Sequence, residues 1–273
     1  MALQALSVGP ALDVDAVSAG AVHSVFARAV NLEIRGDLWT LTAADQGDLA
    51  FGIRVGARTF DAFGLCRGER VDVRAGFVGI GPRLVVDCRA APRWMPALPD
   101  KLVPALSRRL AVVAEAVRHR CWPGSSRVAR DVICALPDRN VLGMVLQDVV
   151  GRGPGSTPAG DDVLVGILAV LRSAHSGPAG SHGADSLCDV LLPLLPRTTD
   201  ISGHLLRQAA AGRFSRAVHE LLGALIENAA PERLADTIRS VVETGATSGA
   251  DMGVGLLAAA PEFLRTDDER AAA

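Results

Sequence analysis

The sequence predicts an α+β protein, with an N-terminal antiparallel β domain over residues 1–95 and an all-helical C-terminal domain over residues 96–265. Three observations lead there. Between Val22 and Cys88, β-branched and aromatic residues recur in short runs separated by Gly-rich breaks, the pattern of strands joined by turns. From Leu102 onward the apolar residues recur at spacings of three and four, which places them on one side of helices. The Pro-rich stretch from Pro92 to Pro104 separates the two regimes.

The strand-like runs are Ser24 to Ile34, Leu38 to Thr42, Leu49 to Val55, Val71 to Ile80 and Leu84 to Cys88. Gly36-Asp37 and Gly68-Glu69 stand where tight turns belong. The helical half opens with Leu102, Leu106, Leu110, Val113 and Val117 as one apolar stripe, which Trp122-Pro123-Gly124 ends. Ser125 or Ser126 is then the expected cap of a second helix, and Asp138 the cap of a helix over Asn140 to Val150 that Gly151 closes. Val163 to Leu171 reads as a buried helix, and the stretch from Ser176 to Gly183 as a loop. Further helices are expected at Ser186 to Leu195, Ile201 to Ala211, Phe214 to Asn228, Pro231 to Thr244 and Asp251 to Ala260, with a frayed tail over 266–273.

Composition narrows the function classes. A length of 273 residues with 49% hydrophobic content suffices for one large core or two moderate ones. A net charge of −2, 4% aromatic residues and no Tyr argue against a nucleic-acid surface. Residues 83–139 hold eleven Arg or Lys against five Asp or Glu, which reads as solvated helix faces. Cys66, Cys88, Cys121, Cys134 and Cys188 have no paired spacing, so they are expected as free thiols in a cytoplasmic protein. No secretory leader is read at the N-terminus. The longest apolar run, Val163 to Leu171, has nine residues, far short of the roughly 20 that span a bilayer, so no membrane role is expected.

The chemistry concentrates in the stretch from Gly151 to Asp162, which packs four glycines, Ser156, Thr157 and the adjacent carboxylates Asp161 and Asp162 in front of the buried helix. Alternating glycines allow positive φ and leave backbone N–H groups uncovered, so a helix fed by such a loop is an anion site in waiting. A second copy of the device is Thr247-Ser248-Gly249-Ala250-Asp251. In both, a Gly stands two residues before an Asp (Gly160 and Asp162, Gly249 and Asp251), and another Gly follows that Asp four residues later (Gly166, Gly255). Gly and Asp one turn apart share a helix face. The two elements are therefore expected to cross near their N-termini, at glycines that admit a second backbone, and to present Asp-tipped loops to one pocket. For Asp251 taken alone, a helix cap is the favoured reading. Neither loop carries the Lys of a Walker A loop or the spacing of a dinucleotide fingerprint.

A third polar cluster runs from Thr198 to His204, with Thr199 or Asp200 as the expected cap of its helix and Thr198 and Ser202 as further hydroxyl donors. Taken in order, these clusters resemble a bacterial family loosely labelled as carboxylases. They read Gly-x-Gly-x-Gly-x-Thr-Pro-x-Gly-Asp-Asp, then Thr198, Ser202, Leu205, Leu206, Ala209 and Gly212, then Thr247 to Asp251. That family's best-assigned members are AllH-type subunits of oxamate carbamoyltransferase, and Ala29-Val30-Asn31-Leu32 is similar to its early strand. Where many relatives carry Gly-His-Thr-Ser-Gly, this chain has Gly245-Ala246-Thr247-Ser248-Gly249.

The resemblance implies a subunit of a transferase that moves a carbamoyl group between phosphate and a small amide such as oxamate, working beside other subunits, one of them similar to acyl-CoA synthetase chains. The residues suit that chemistry. Amides of Gly153, Gly155 and Gly160 with Thr157, Thr198, Ser202, Thr247, Ser248 and Gly249 would hold a small anionic substrate, and Asp161, Asp162 or Asp251 would orient the amide or take its proton. Carboxylates beside an anion repel it. The reading therefore needs Mg²⁺ held by Asp161 and Asp162, or Arg152, or one Asp turned away as a cap. Two rival readings remain at this stage: a non-catalytic scaffold whose glycines serve tight helix packing, and a stand-alone carboxylase-like or phosphate-ligand enzyme.

Overall fold

The computed structural model describes residues 1–94, 106–173, 181–227 and 229–263. The chain divides into two compact units, Met1–Pro96 and Ala97–Ala273.

The first unit is a closed barrel of eight strands: β1 Ala2–Val8, β2 Ser18–Val25, β3 Ala29–Ile34, β4 Asp37–Thr42, β5 Gly52–Val55, β6 Arg70–Arg74, β7 Phe77–Ile80 and β8 Leu84–Asp87. Their order around the barrel is β1-β5-β4-β3-β2-β6-β7-β8. This corrects the expected antiparallel domain. Two of the pairings, β1 with β8 and β4 with β5, are parallel, and β1, which the sequence pattern did not announce, closes the ring between β5 and β8. Along the strands, side chains alternate between the barrel's interior and its outer face. Val30, Leu32 and Ile34 of β3, and Val71 and Val73 of β6, are buried, whereas Arg70, Asp72 and Arg74 alternate outward.

Two expected single strands are hairpins. Ser24 to Ile34 breaks between β2 and β3, and Val71 to Ile80 breaks at Ala75-Gly76, where φ is 49° and 80°. The expected turn at Gly36 joins β3 to β4, with Arg35 and Gly36 both at positive φ, as a two-residue hairpin requires. A groove of about 830 Å³ runs over the outer face of β2 and β6 to β8, where Arg70 and Asp72 already satisfy each other at 2.7 Å.

The second unit is helical: α1 Leu106–Val117, α2 Ser125–Ala135, α3 Arg139–Val149, α4 Ala159–Ser173, α5 Ser181–Leu191 with a 3-10 turn Leu192–Arg197, α6 Asp200–Ala210, α7 Arg216–Ile226, α8 Pro231–Val242 and α9 Ser248–Ala259. Every residue from Ala159 to Leu171 is buried, and α4 is the central rod on which α2, α5, α6, α7 and α9 pack. Val113 and Val117 of the α1 stripe enter this core, while Leu102 lies outside the described residues.

Asp138 caps α3 and Thr199 caps α6, as expected, and Ser215 caps α7. Neither Ser125 nor Ser126 caps α2, whose N-cap is Gly124; the Ser125 hydroxyl is engaged elsewhere. α9 begins at Ser248, three residues before Asp251, so Asp251 lies in the first turn and does not cap it. Of the expected loop from Ser176 to Gly183, residues 176–180 lie outside the described residues, whereas Ser181 to Gly183 already belong to α5, a correction; the expected frayed tail over 266–273 also lies outside the described residues. Among the described residues no helix is long and apolar enough to cross a membrane.

α4 crosses α9 with the two backbones in contact. A Cβ on Gly166 would stand 1.9 Å from the Met252 carbonyl oxygen, and one on Gly255 would stand 2.0 Å from that of Val163. Only hydrogen fits at either position.

Candidate functional site

The crossing places the first turns of α4 and α9 side by side and fixes where their carboxyl groups lie. Ahead of α4, the chain passes Gly151, Gly153 and Gly155, all at positive φ (78°, 112° and 97°). Gly153 is pressed against the helix start, since a Cβ there would meet the Ala159 nitrogen at 2.8 Å. Gly155 is exposed, and an added Cβ would meet nothing closer than the Thr157 carbonyl oxygen at 3.8 Å. The N–H groups of Gly153 and Gly155 have no acceptor among the described residues. That of Gly160 donates to the Arg152 carbonyl oxygen at 2.8 Å, and that of Gly249 to Thr244 at 3.0 Å. Gly160 and Gly249 are close-packing positions, where a Cβ would lie 2.4 Å from the Val149 carbonyl oxygen and 1.8 Å from that of Val241.

Asp161 ties the loop to the start of α6. Its Oδ1 accepts from the Gly151 N–H at 2.9 Å, and its Oδ2 accepts from the Ser202 hydroxyl at 2.7 Å and from the Thr198 hydroxyl. Burial pushes its pKa up, and these three donors pull it back. Thr199, besides capping α6, donates its hydroxyl to the Ser156 carbonyl oxygen at 2.6 Å. The third polar cluster thus holds the glycine loop from behind. Three donors thus already lie on Asp161, and the described residues contain no group of three or more His, Cys, Asp or Glu that could hold a metal.

Asp251 is fully buried and binds the segment that leads into α2. Its Oδ1 accepts from the Trp122 backbone N–H at 2.8 Å and from the Ser125 hydroxyl at 2.5 Å. Its Oδ2 has no hydrogen-bond partner. Trp122 and Ser125 are the site residues that sequence reasoning missed. The signal was present only as a helix terminator followed by two serines, which local rules assign to turn and cap. Arg152, exposed, stacks its guanidinium over the Trp122 ring at 6.0 Å from the centroid.

Asp162 is the carboxyl left over. It is 3% exposed, and its Oδ2 has no hydrogen-bond partner. Burial drives its pKa up to about 8; the hydroxyls of Ser248 and Thr157 pull it down, and the nearby charges of Asp251 and Asp161 push it further up. The Thr157 and Ser248 hydroxyls are 2.8 Å apart and bridge the glycine loop to the first turn of α9. Thr247 stands just outside that turn as its N-cap, with no capping bond from its side chain.

Four helix starts therefore meet around three carboxyl groups: α4 and α9 carry them, α6 reaches Asp161, and α2 reaches Asp251. Each helix N-terminus is equivalent to about half a positive charge. Such ends favour carboxylate charge, and burial opposes it at Asp162.

A family model described as oxamate carbamoyltransferase subunit AllH matches residues 149–260, from the end of α3 through α9, and so spans all three carboxyl groups and the glycine loop. A second, described as the AllH family N-terminal domain, matches residues 4–93, the barrel. No solved structure matches the chain.

Proposed function

As the chain belongs to the AllH family of oxamate carbamoyltransferase subunits, we propose that its site takes part directly in moving a carbamoyl group between phosphate and a small amide such as oxamate. The observation that carries this is the meeting of four helix starts around three buried carboxyl groups, on a glycine loop whose Gly153 and Gly155 amides have no acceptor among the described residues. Bare amides at a helix N-terminus hold phosphate oxygens and stabilise the oxyanion that forms as the carbamoyl carbon becomes tetrahedral. Thr157 and Ser248 add hydroxyl donors at the mouth, Arg152 adds a cation at the rim, and Asp161 and Asp251 hold the surrounding segments in place.

In this reading the chain is cytoplasmic, in keeping with five free cysteines, and works beside other subunits, one of them similar to acyl-CoA synthetase chains. The test is thermal unfolding of the full chain with phosphate, carbamoyl phosphate and oxamate. A ligand at a hundred times its dissociation constant adds about 2.7 kcal/mol. A shift with carbamoyl phosphate that Thr157→Val reduces supports a site on this subunit. No shift with any of the three moves the chemistry to a partner and leaves this chain as scaffold.

A further inference from the structure

The proposed reaction needs a proton at its centre. When phosphate oxygen attacks the carbamoyl carbon of a carbamoylated amide, the C–O bond forms and the C–N bond breaks. The electron pair of the broken bond stays on nitrogen, which leaves as an amide only if it acquires a proton. In the reverse direction the attacking amide nitrogen must give one up.

Each of the three carboxyls of the site has a different set of partners. Asp161 spends both oxygens on three donors, and Asp251, at 0% exposure, spends Oδ1 on two and leaves Oδ2 without a partner, away from the glycine loop's hydroxyls. Asp162 is more than nine-tenths buried, lies behind the Thr157–Ser248 hydroxyl bridge and keeps Oδ2 without a partner. Resting on the reading above, we propose that Asp162 is the proton carrier of the site: as a neutral acid it donates a hydrogen bond from Oδ2 to an oxygen of a bound tetrahedral oxyanion, then passes that proton to the departing amide nitrogen.

The charged groups acting on Asp162 are Asp251 from α9 and Asp161 on its own helix, both of which favour the protonated form. The other elements packed on α4 bring the buried titratable side chains Cys188 of α5, His204 of α6 and His219 of α7; Cys121 lies just ahead of α2, beside Asp251. Asp162 holds its proton up to about pH 8. An oxyanion that requires the neutral acid therefore binds above that pH only by drawing a proton from solution.

The experiment is calorimetry of the full chain at about pH 9, with phosphate and with sulfate, which has no titratable proton there. Each titration is run in two buffers of different ionisation enthalpy, on the wild type and on Asp162→Asn. The expected result is uptake approaching one proton per sulfate, an affinity falling roughly tenfold per pH unit above about 8, and sulfate binding without uptake in Asp162→Asn. Binding without proton uptake by the wild type, or uptake that persists in Asp162→Asn, overturns the proposal while the phosphate reading stands. Absence of both phosphate and sulfate binding overturns that reading and this proposal with it. Should Asp162→Asn not fold, the wild-type slope decides alone, and an affinity that stays flat between about pH 7 and 10 overturns the assignment.

Discussion

Thr157 Oγ1 and Ser248 Oγ meet at 2.8 Å although 91 residues separate them in sequence. The bond fastens the glycine loop to the first turn of α9, and both hydroxyls act on the Asp162 carboxyl. Replacing either hydroxyl is expected to cost little stability, about 1 kcal/mol, and to weaken carbamoyl phosphate binding by roughly tenfold, the equivalent of about 1.4 kcal/mol. Parallel measurements of Tm and ligand affinity on Thr157→Val and Ser248→Ala separate the two effects.

Asp161 holds three donors from two segments. Asp161→Ala strands the buried Ser202 hydroxyl together with two part-buried partners, and is expected to lower the unfolding free energy by roughly 3 kcal/mol or more. Urea unfolding checks this. A change below about 1 kcal/mol would mean that the clip holds nothing.

The helix crossing makes the sharpest claim about packing. Gly166→Ala or Gly255→Ala drives a methyl group into a carbonyl oxygen of the other helix, with an expected loss of about 3 kcal/mol. Gly143→Ala in α3, where the nearest atom to an added Cβ is a Val190 methyl at 3.8 Å, is expected to gain up to about 1 kcal/mol from helix propensity. Opposite signs in thermal unfolding of the two classes are the outcome to look for.

The buried acid sets a pH dependence of stability. Folded, Asp162 keeps its proton up to about pH 8; unfolded, an Asp loses it near pH 3.9. Between those values the folded state binds the extra proton, so stability falls as pH rises, by up to about 1.4 kcal/mol per pH unit. Asp162→Asn removes this slope and is expected to match the wild type near pH 4 and exceed it near pH 8. Unfolding curves collected across that window test the sign directly.

Much of the site could be read from the sequence because its rules are local. The shared spacing of Gly160, Asp162 and Gly166 with Gly249, Asp251 and Gly255 places Asp and Gly on one helix face, and the structure has the two helices crossing at those glycines. What escaped depends on distant partners. Asp251 looked like a cap because the donors that claim it, Trp122 and Ser125, lie more than a hundred residues away. The barrel escaped for the same reason. Its closure rests on β1 finding both β5 and β8, and no window of sequence around Ala2–Val8 reports that encounter.

The ring closed by β1 also limits how other proteins can approach this unit. A sheet with two edges offers rows of unpaired N–H and C=O groups to any extended segment that arrives, and strand addition is a common way for chains to join. Here β1 and β8 spend those groups on each other. A companion chain must therefore recognise the barrel by the side chains on its outer wall and by its connecting loops. Surface substitutions such as Arg74→Glu are then the changes that report on assembly, and mutations that alter backbone pairing are not.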